Sequence, residues 1–378
     1  MIYLLAFLMN TTTGLLIIGN PLLAISRFGA GPLELGALGT VGAGIYSISC
    51  LGSGFLVDRL GFRRVILISC VFLGLIFPVI IFVNRLRYLF LLVAASSIGL
   101  SLFWPAIQRW LGEGRRFHDL RRKIGSFNIC LIGGIMLGNL ICGEVFVLNE
   151  RGPYLLSTLF VVAVIIIFLG AGRGKDAAAG RPGTEDYPAE GEKHIPGFIY
   201  IGWIANFAVW FAIGAAEFLF PKLAIELGLS ARTLAFLIAM IPLGEIVIFF
   251  FLRRTHLWHY NFRHLLIFQL AGIAGLLLIY LGGSRLLFGG GLLLVGCCAG
   301  MCYFSSLFYS LHRQKSKGRK SGFHESFLGL GVALGPIAGG VAARGGDLKA
   351  PYLLCVAVFL ICIFFQAIIL RRYRPRPA

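Results

Sequence analysis

Charged residues are scarce in this sequence. Only 13% of its 378 residues are Asp, Glu, Lys or Arg, whereas roughly 25% is usual for soluble domains. Apolar residues make up 58% of the chain, a composition that excludes an ordinary soluble domain and predicts an integral membrane protein. No basic segment precedes the first apolar run, which extends from residue 2 past residue 24. We therefore expect a membrane helix at the N-terminus rather than a cleaved signal peptide.

Motifs of soluble enzymes are missing as well. The sequence has no P-loop, no zinc-ligand spacing and no nucleophile elbow. Its nine cysteines all fall within apolar runs, so we interpret them as small buried side chains rather than as disulfides or metal ligands. The sequence thus predicts neither an enzyme nor a bound cofactor or metal. It also offers no nucleotide-binding domain that could drive transport with ATP.

Long apolar runs fill most of the chain. A run of about 20 residues is long enough for a helix to cross a bilayer. Twelve such runs lie at about residues 2–25, 33–57, 65–83, 87–108, 124–147, 153–172, 197–220, 231–252, 262–283, 286–311, 321–343 and 349–370. The sequence therefore predicts an all-α membrane protein with twelve transmembrane helices in two six-helix bundles.

The formal net charge of +18 follows from the distribution of basic residues between the loops. When both termini are placed in the cytoplasm, 25 of the 34 Lys and Arg residues fall in inner segments. Cytoplasmic loops of membrane proteins carry such an excess, which predicts cytoplasmic N- and C-termini. The basic excess needs no nucleic acid as a partner, and binding to anionic lipid headgroups is a secondary effect.

A polar segment at residues 173–196, rich in Gly, Pro and charge, is predicted to be a cytoplasmic linker. It separates an N-terminal bundle at 1–172 from a C-terminal bundle at 197–370, and a basic tail follows at 371–378. Shifting the chain by 197 residues aligns the glycines of the fifth and eleventh runs, namely Gly134, Gly138 and Gly143 with Gly331, Gly335 and Gly340. The first and seventh runs then correspond, with Asn10 and Asn206 one residue out of step. Such internal repeats are common in transporters.

The segment GSGFLVDRLGFRR, at residues 52–64, places unusual polarity between two apolar runs. It resembles the loop between the second and third helices of the major facilitator superfamily of transporters, with the pattern G-x-L-x-D-R-x-G-R-R-R. The residues that fit are Gly54, Leu56, Asp58, Arg59, Gly61, Arg63 and Arg64. Phe62 stands where the family often has a basic residue. The resemblance extends over essentially the whole chain and implies alternating access by two bundles about a midplane site.

The resemblance also implies a gate. Asp58 would face the start of the eleventh run when the cytoplasmic side is closed, where the helix dipole and nearby Arg319 and Lys320 favour an anion. The eleventh run itself carries Gly331, Gly335, Pro336, Gly339 and Gly340, similar to a glycine–proline pattern that the family's antiporter branch carries in its fifth helix. The fifth run has Asn139 in place of the proline. The glycines indicate either close packing or a bending face that moves during transport.

A carboxylate within a membrane-spanning run has a high free-energy cost unless it faces a cavity or a partner. Glu245 lies about 13 residues from the outer end of the eighth run, about 20 Å along a helix. It is the first candidate for proton coupling, with a structural hydrogen bond or exposure at a helix end as the alternatives. Glu217 is placed in an outer vestibule. His324 and Glu325, near the cytoplasmic end of the eleventh run, form either a proton pathway or a helix cap.

The superfamily's first and seventh helices line its central cavity. By this resemblance the substrate-cavity candidates are Asn10, Thr11, Asn139, Trp203, Asn206 and Trp210. A single Asn in an apolar helix can instead serve an interhelical hydrogen bond. No basic residue lies near the midplane, so neutral donors and aromatic rings favour a neutral or cationic organic solute over a phosphate or dicarboxylate.

The sequence therefore predicts a secondary transporter of a small organic solute, coupled to protons, with efflux favoured over uptake. One alternative is a proton-independent facilitator or uptake carrier for a sugar-like or lipid-like solute. Another is a membrane assembly or regulatory protein that has the fold without transport. The short loops suggest a bacterial inner membrane. A monomer in the lipid bilayer is compatible with each of these three functions.

Overall fold

The computed structural model describes residues 1–112, 117–170, 195, 197–255, 257–311 and 317–373. Within these ranges, the side chains of residues 51, 54, 55, 58, 108, 111, 112, 117–125, 311 and 317–322 lie outside the description. The predicted linker at 173–196, apart from residue 195, and residues 374–378 of the predicted basic tail also lie outside it.

The described chain is built from helices. They are α1 (Ile2–Phe28), α2 (Pro32–Leu60), α3 (Phe62–Ile80), α4 (Leu86–Gly112), α5 (Phe117–Leu148), α6 (Gly152–Gly170), α7 (Phe198–Glu226), α8 (Ala231–Ile238), α9 (Met240–Leu252), α10 (Phe262–Leu281), α11 (Arg285–Leu311), α12 (Lys317–Ala342) and α13 (Ala350–Arg372). A short 3₁₀ turn at Ala343–Gly345 follows α12.

Twelve helical segments are long and apolar enough to cross a membrane, which confirms the predicted all-α architecture. Helices α8 and α9 together form one of these segments, and a turn at Ala239 separates them. Pro242 explains the break, because a proline inside a helix has no N–H to donate and its ring clashes with the carbonyl four residues earlier. That carbonyl belongs to Ile238, the last residue of α8.

The chain forms two compact units. Unit 1 comprises residues 1–31, 41–186 and 224–239, and unit 2 comprises residues 32–40, 187–223 and 240–378. The first residues of α2 therefore pack within unit 2, and α8 packs within unit 1.

In unit 1, helices α1 and α5 approach closely through glycines. A Cβ atom on Gly134 would lie 2.5 Å from the carbonyl oxygen of Phe7, and one on Gly138 would collide with the carbonyl of Thr11. From the α1 side, a Cβ on Gly14 would collide with the carbonyl of Ile135. Small residues permit this backbone contact, which is a main source of attraction between helices in lipid.

Unit 2 repeats this packing between α7 and α12. A Cβ on Gly331 would lie 2.6 Å from the carbonyl oxygen of Phe207, and one on Gly335 would collide with the carbonyl of Phe211. A Cβ on Gly214 would contact Val332 and Pro336. These two residues are the counterparts of Ile135 and Asn139, which a Cβ on Gly14 would contact in unit 1. In these contacts, each residue of α5 corresponds to the residue 197 positions later in α12. Each residue of α1 corresponds to the residue 200 positions later in α7.

This packing register corrects one detail of the sequence alignment. A single shift of 197 residues places Asn10 within one residue of Asn206. The contacts of α1 and α7 instead make Trp210 the counterpart of Asn10 in the repeat. The two asparagines thus lie about one helical turn apart in the repeat. The correspondence between the helices stands, whereas the pairing of the two amides does not.

The polar segment between α2 and α3 turns at Gly61, whose φ of 77° lies in the left-handed region that glycine adopts without a steric penalty. The next residue, Phe62, stacks on the ring of Trp110 from α4 with centroids 5.4 Å apart. An aromatic side chain at this position therefore packs against the neighbouring helix.

Candidate functional site

Three of the polar candidates share one face of α7. Asn206, Trp210 and Glu217 are spaced by four and seven residues, which places them on the same side of a helix. The indole N–H of Trp210 donates a hydrogen bond of 3.1 Å to Oδ1 of Asn206. The side chain of Asn206 is fully buried, and its Nδ2 has no hydrogen-bond partner in the described chain. A buried donor is thus held next to an indole ring.

Glu245 is carried by α9, which packs tightly on α11. A Cβ on Gly244 would lie 2.5 Å from the carbonyl oxygen of Leu293, and one on Gly300 would lie 3.2 Å from Cα of Glu245. The side chain of Glu245 is only 4% exposed. Among the described residues it forms neither an ion pair nor a hydrogen bond. Glu217 is half-buried and also lacks such a partner there.

Tyr303 joins these residues, and sequence reasoning missed it. It lies on α11, three residues after Gly300. Its ring centroid is 6.4 Å from that of Trp210 and 6.0 Å from that of Phe249. Phe249 lies one helical turn after Glu245 in α9, so Tyr303 packs beside the helix face that carries Glu245. We call Trp210, Glu217, Glu245, Phe249 and Tyr303 the acidic-aromatic cluster; all five lie in unit 2.

His324 adjoins the cluster from α12. Its ring centroid lies 5.1 Å from that of Tyr303, and the side chain is fully buried. Nδ1 of His324 shares a 2.8 Å hydrogen bond with the hydroxyl of Ser306. Nε2 has no hydrogen-bond partner among the described residues and lies 3.9 Å from Oε1 of Glu325. The predicted pair His324 and Glu325 is thus tied to α11 and to the ring of Tyr303.

Trp203 belongs to the same side of the site as His324. Its indole N–H donates a 2.9 Å hydrogen bond to the hydroxyl of Ser310, which in turn donates to the carbonyl of Ser306. Its ring stacks on that of Phe327 at 5.8 Å. Trp203 thus lies on the same face of α7 as the bonded pair Asn206 and Trp210, one helical turn earlier, and bonds to α11 through Ser310.

The candidates in unit 1 have other contacts. Nδ2 of Asn10 donates a 2.9 Å hydrogen bond to the carbonyl of Leu131 on α5, which is the interhelical alternative that the sequence left open. The hydroxyl of Thr11 donates to the carbonyl of Phe7 in its own helix. Asn139 is buried, and its Oδ1 has no hydrogen-bond partner in the described chain. Asn139 thus has a buried polar atom that is available to a ligand.

The glycine–proline segment of α12 packs on two neighbours. Gly331, Gly335 and Gly339 face α7, whereas a Cβ on Gly340 would lie 2.7 Å from the carbonyl oxygen of Pro32 at the start of α2. The hydroxyl of Thr40 donates a 2.6 Å hydrogen bond to the carbonyl of Ala333. The start of α2 is therefore bound to α12 through backbone groups.

Helices α5 and α8 make the corresponding contact in unit 1. A Cβ on Gly143 would collide with the side chain of Ala235. Nε of Arg232 lies 2.7 Å from Oε2 of Glu144, and both side chains are 57% exposed. A polar ion pair thus accompanies the glycine contact.

The remaining gate candidates lie at the end of α2 and the start of α3. Arg59 and Arg64 are exposed and Arg63 is half-buried. Gly54 lies within α2, and the side chain of Asp58 lies outside the described part. In the part of the chain that the structure describes, no group of three or more His, Cys, Asp or Glu side chains is arranged to hold a metal ion.

Comparison with known proteins places this geometry in a family. The family model of the Major Facilitator Superfamily matches residues 2–316. The fold is similar to that of a bacterial homolog of the human lysosomal transporter Spinster, with a TM-score of 0.72, 15% identity, and coverage of 100% of this chain and 97% of that one. No match was found among curated protein sequences.

Two further solved structures share the fold. The nucleoside transporter NupG gives a TM-score of 0.72 at 14% identity, with 98% of each chain covered. The human organic anion transporter MFSD10 (TETRAN) gives a TM-score of 0.68 at 16% identity, with 97% of each chain covered. At these identities the likeness extends to the fold alone.

Proposed function

This chain belongs to the Major Facilitator Superfamily of transporters, and from that premise we propose that it moves a small organic solute across the membrane in exchange for protons. Efflux is favoured over uptake, and the N- and C-termini are cytoplasmic because that orientation places most basic residues inside. A bacterial inner membrane fits the short loops. The solute is neutral or cationic, because no basic side chain belongs to the acidic-aromatic cluster.

One observation carries the proton-coupling proposal. Glu245 is 4% exposed in a membrane-spanning segment and has neither an ion-pair nor a hydrogen-bond partner in the described chain. An ionised carboxylate in that setting is costly, so the group is stable only when it is protonated or when a cationic ligand lies beside it. Glu245 therefore takes up a proton in one half of the cycle and releases it in the other.

The neighbours of Glu245 support a proton route on one side of it. Tyr303 packs against Phe249, which lies one turn after Glu245 in α9, and His324 contacts the ring of Tyr303. We propose that Glu325 and His324 pass protons between the cytoplasmic end of α12 and Glu245. Glu217 stands further along α7 and serves the outer side.

The gates are the close helix contacts. We propose that the contact of α12 with the start of α2, and that of α5 with α8, close the outer side. Each contact combines a glycine, Gly340 or Gly143, with a polar interaction that can break and reform. By the family resemblance, Asp58, Arg59 and Gly61 belong to the gate on the cytoplasmic side.

The first experiment identifies a solute. Purified protein is screened by thermal shift against panels of organic solutes, because a ligand that binds only the folded state raises its apparent stability. The hit is then used in proteoliposomes with and without a pH gradient. We expect uphill solute movement only when the gradient is present.

Glu245→Gln tests the assigned residue. The variant should lose gradient-driven accumulation but keep solute counterflow, because binding and alternation persist while proton exchange at this site does not. Glu150→Gln, at a half-buried carboxylate outside the acidic-aromatic cluster that lies 3.9 Å from the guanidinium of Arg27, is the control and should behave like the parent. Unchanged coupling in Glu245→Gln would remove Glu245 from the mechanism, and solute flux indifferent to the gradient in the parent would make the protein a facilitator.

A further inference from the structure

The acidic-aromatic cluster has the chemistry of a cation site. We infer that it binds an organic cation with an apolar body, held by the carboxylates of Glu217 and Glu245 and by the rings of Trp210, Phe249 and Tyr303. This deepens the proposed function, on which it rests, by choosing the cationic class of solute. The inference uses only residues of unit 2.

The two carboxylates supply the charge. Neither Glu217 nor Glu245 pairs with a Lys, Arg or His in the described chain. His324 contacts the ring of Tyr303, and its Nε2 lies 3.9 Å from the carboxylate of Glu325. Two acids without an ion-pair partner in the described chain attract a mobile cation, because its binding offsets the cost of placing their charge inside the membrane.

The rings select the kind of cation. Trp210 and Phe249 both contact the ring of Tyr303, from α7 and α9 respectively. A cation within about 6 Å of such rings is attracted by the ring quadrupoles. Quaternary and aromatic cations use this attraction well and lose little solvation on entering, whereas a small metal ion would lack the several oxygen ligands that it requires.

An independent polar atom points to a ligand at the same place. Asn206 is fully buried, and Trp210 fixes the orientation of its amide by donating to Oδ1. Its Nδ2 is left without a hydrogen-bond acceptor in the described chain. A buried donor without a partner destabilises the folded state, so a bound solute with an acceptor group would recover that cost.

The test compares two ions of the same shape and opposite charge. Tetraphenylphosphonium and tetraphenylborate are titrated into the full-length protein in detergent, and binding is followed by equilibrium dialysis. We expect the cation to bind at least tenfold more tightly than the anion. Glu245→Gln and Glu217→Gln should each weaken cation binding by about tenfold, whereas Glu150→Gln should leave it unchanged.

The rings are tested separately. Trp210→Leu and Tyr303→Leu should each weaken cation binding about threefold or more, as expected for lost cation–π contacts. Trp210→Phe should lose less, since it keeps a ring. Every variant is checked for folding by gel filtration and thermal unfolding, and Glu245→Asp replaces Glu245→Gln if the latter unfolds, with weaker but retained preference for the cation.

The outcomes separate this inference from the proposed function, because binding in detergent needs no gradient. Equal binding of both ions, no cation binding up to about 1 mM, or full affinity in both Gln variants would overturn the inference. Coupled flux of an uncharged solute in a protein that does not bind the cation would leave the proposed function standing. Selective cation binding without any flux would overturn the function and leave the site.

Discussion

The hydroxyl of Ser306 and Nδ1 of His324 share a 2.8 Å hydrogen bond between α11 and α12, and both side chains are fully buried. This bond fixes the ring of His324 so that Nε2 faces Glu325. In a membrane span the alternative to such a bond is an unpaired imidazole nitrogen, which is costly. Ser306 is therefore the residue that holds the histidine in place.

Removing the Ser306 hydroxyl should destabilise the protein. In Ser306→Ala, Nδ1 of His324 loses its partner, and leaving a buried polar atom unpaired costs about 1–3 kcal/mol. The free energy of unfolding, measured by SDS titration in mixed micelles, should fall by that amount.

The neighbouring serine provides the control. Ser305 is equally buried but bonds to the carbonyls of Met301 and Cys302 in its own helix. Ser305→Ala leaves no side chain unpaired and should change the free energy of unfolding much less. Equal effects of the two substitutions would contradict a positioning role for Ser306.

The glycine contacts predict a position-dependent response to added methyl groups. A Cβ on Gly335 would collide with the carbonyl of Phe211, whereas none of the described atoms lies within 4 Å of one on Gly290. Gly335→Ala should push α7 away from α12 and cost about 1–3 kcal/mol. Gly290→Ala should be neutral or stabilising by up to about 1 kcal/mol, because Ala favours the helix.

Thermal unfolding of the two variants in the same detergent checks this prediction. Gly138→Ala, the counterpart of Gly335→Ala in the internal repeat, should resemble Gly335→Ala, since its Cβ would collide with the carbonyl of Thr11. A loss in Gly290→Ala as large as that in Gly335→Ala would show that the effect does not come from helix contact.

Much of the fold could be predicted from the sequence because hydropathy and loop charge are properties of single segments. The break between α8 and α9 was not predicted, although Pro242 stands four residues after Ile238 and a proline interrupts a helix at that distance. The register of the repeat could not be predicted either. A three-residue offset between α1 and α7 changes no composition, and only the contacts of Phe7 and Phe207 with their glycines reveal it.

The site was harder to predict, because residues of the same type in similar helices have different hydrogen-bond partners and neighbours. Asn10 and Asn206 are both single amides in apolar helices, yet Asn10 bonds to a backbone carbonyl while Nδ2 of Asn206 lacks a partner among the described residues. Tyr303 and Tyr309 lie six residues apart in α11. The hydroxyl of Tyr309 bonds to the backbone near Trp258, whereas Tyr303 lies among acids. Tertiary packing, which sequence spacing does not encode, makes these distinctions.

The ion pair of Arg232 and Glu144 should control alternation more than stability. Both side chains are 57% exposed, and exposed pairs contribute about 0–1 kcal/mol. Arg232→Glu places two like charges between α5 and α8, which should loosen the contact that we assign to the outer gate. Labelling of single cysteines on the outer side should then increase.

Charge exchange gives the control for this prediction. The double variant Arg232→Glu with Glu144→Arg restores opposite charges and should return the labelling towards that of the parent. If the double variant labels as strongly as Arg232→Glu alone, the ion pair has no role in closing the gate, and the contact rests on Gly143 and Ala235.

Two buried glutamines predict a non-additive response. Gln269 on α10 and Gln366 on α13 are fully buried, and each Nε2 donates a 2.9 Å hydrogen bond to the other's Oε1. Gln269→Leu leaves the amide of Gln366 unpaired in an apolar surrounding and should cost about 1–3 kcal/mol of unfolding free energy. Gln366→Leu should cost a similar amount for the same reason.

Replacing both glutamines by leucine should cost less than replacing either one. The double variant keeps side chains of similar size and leaves no amide unpaired, and removal of both partners of a buried hydrogen bond is often nearly neutral. Unfolding by SDS titration of the parent, the two single variants and the double variant forms a complete cycle. Additive losses would mean that the glutamines stabilise α10 and α13 through separate contacts rather than through each other.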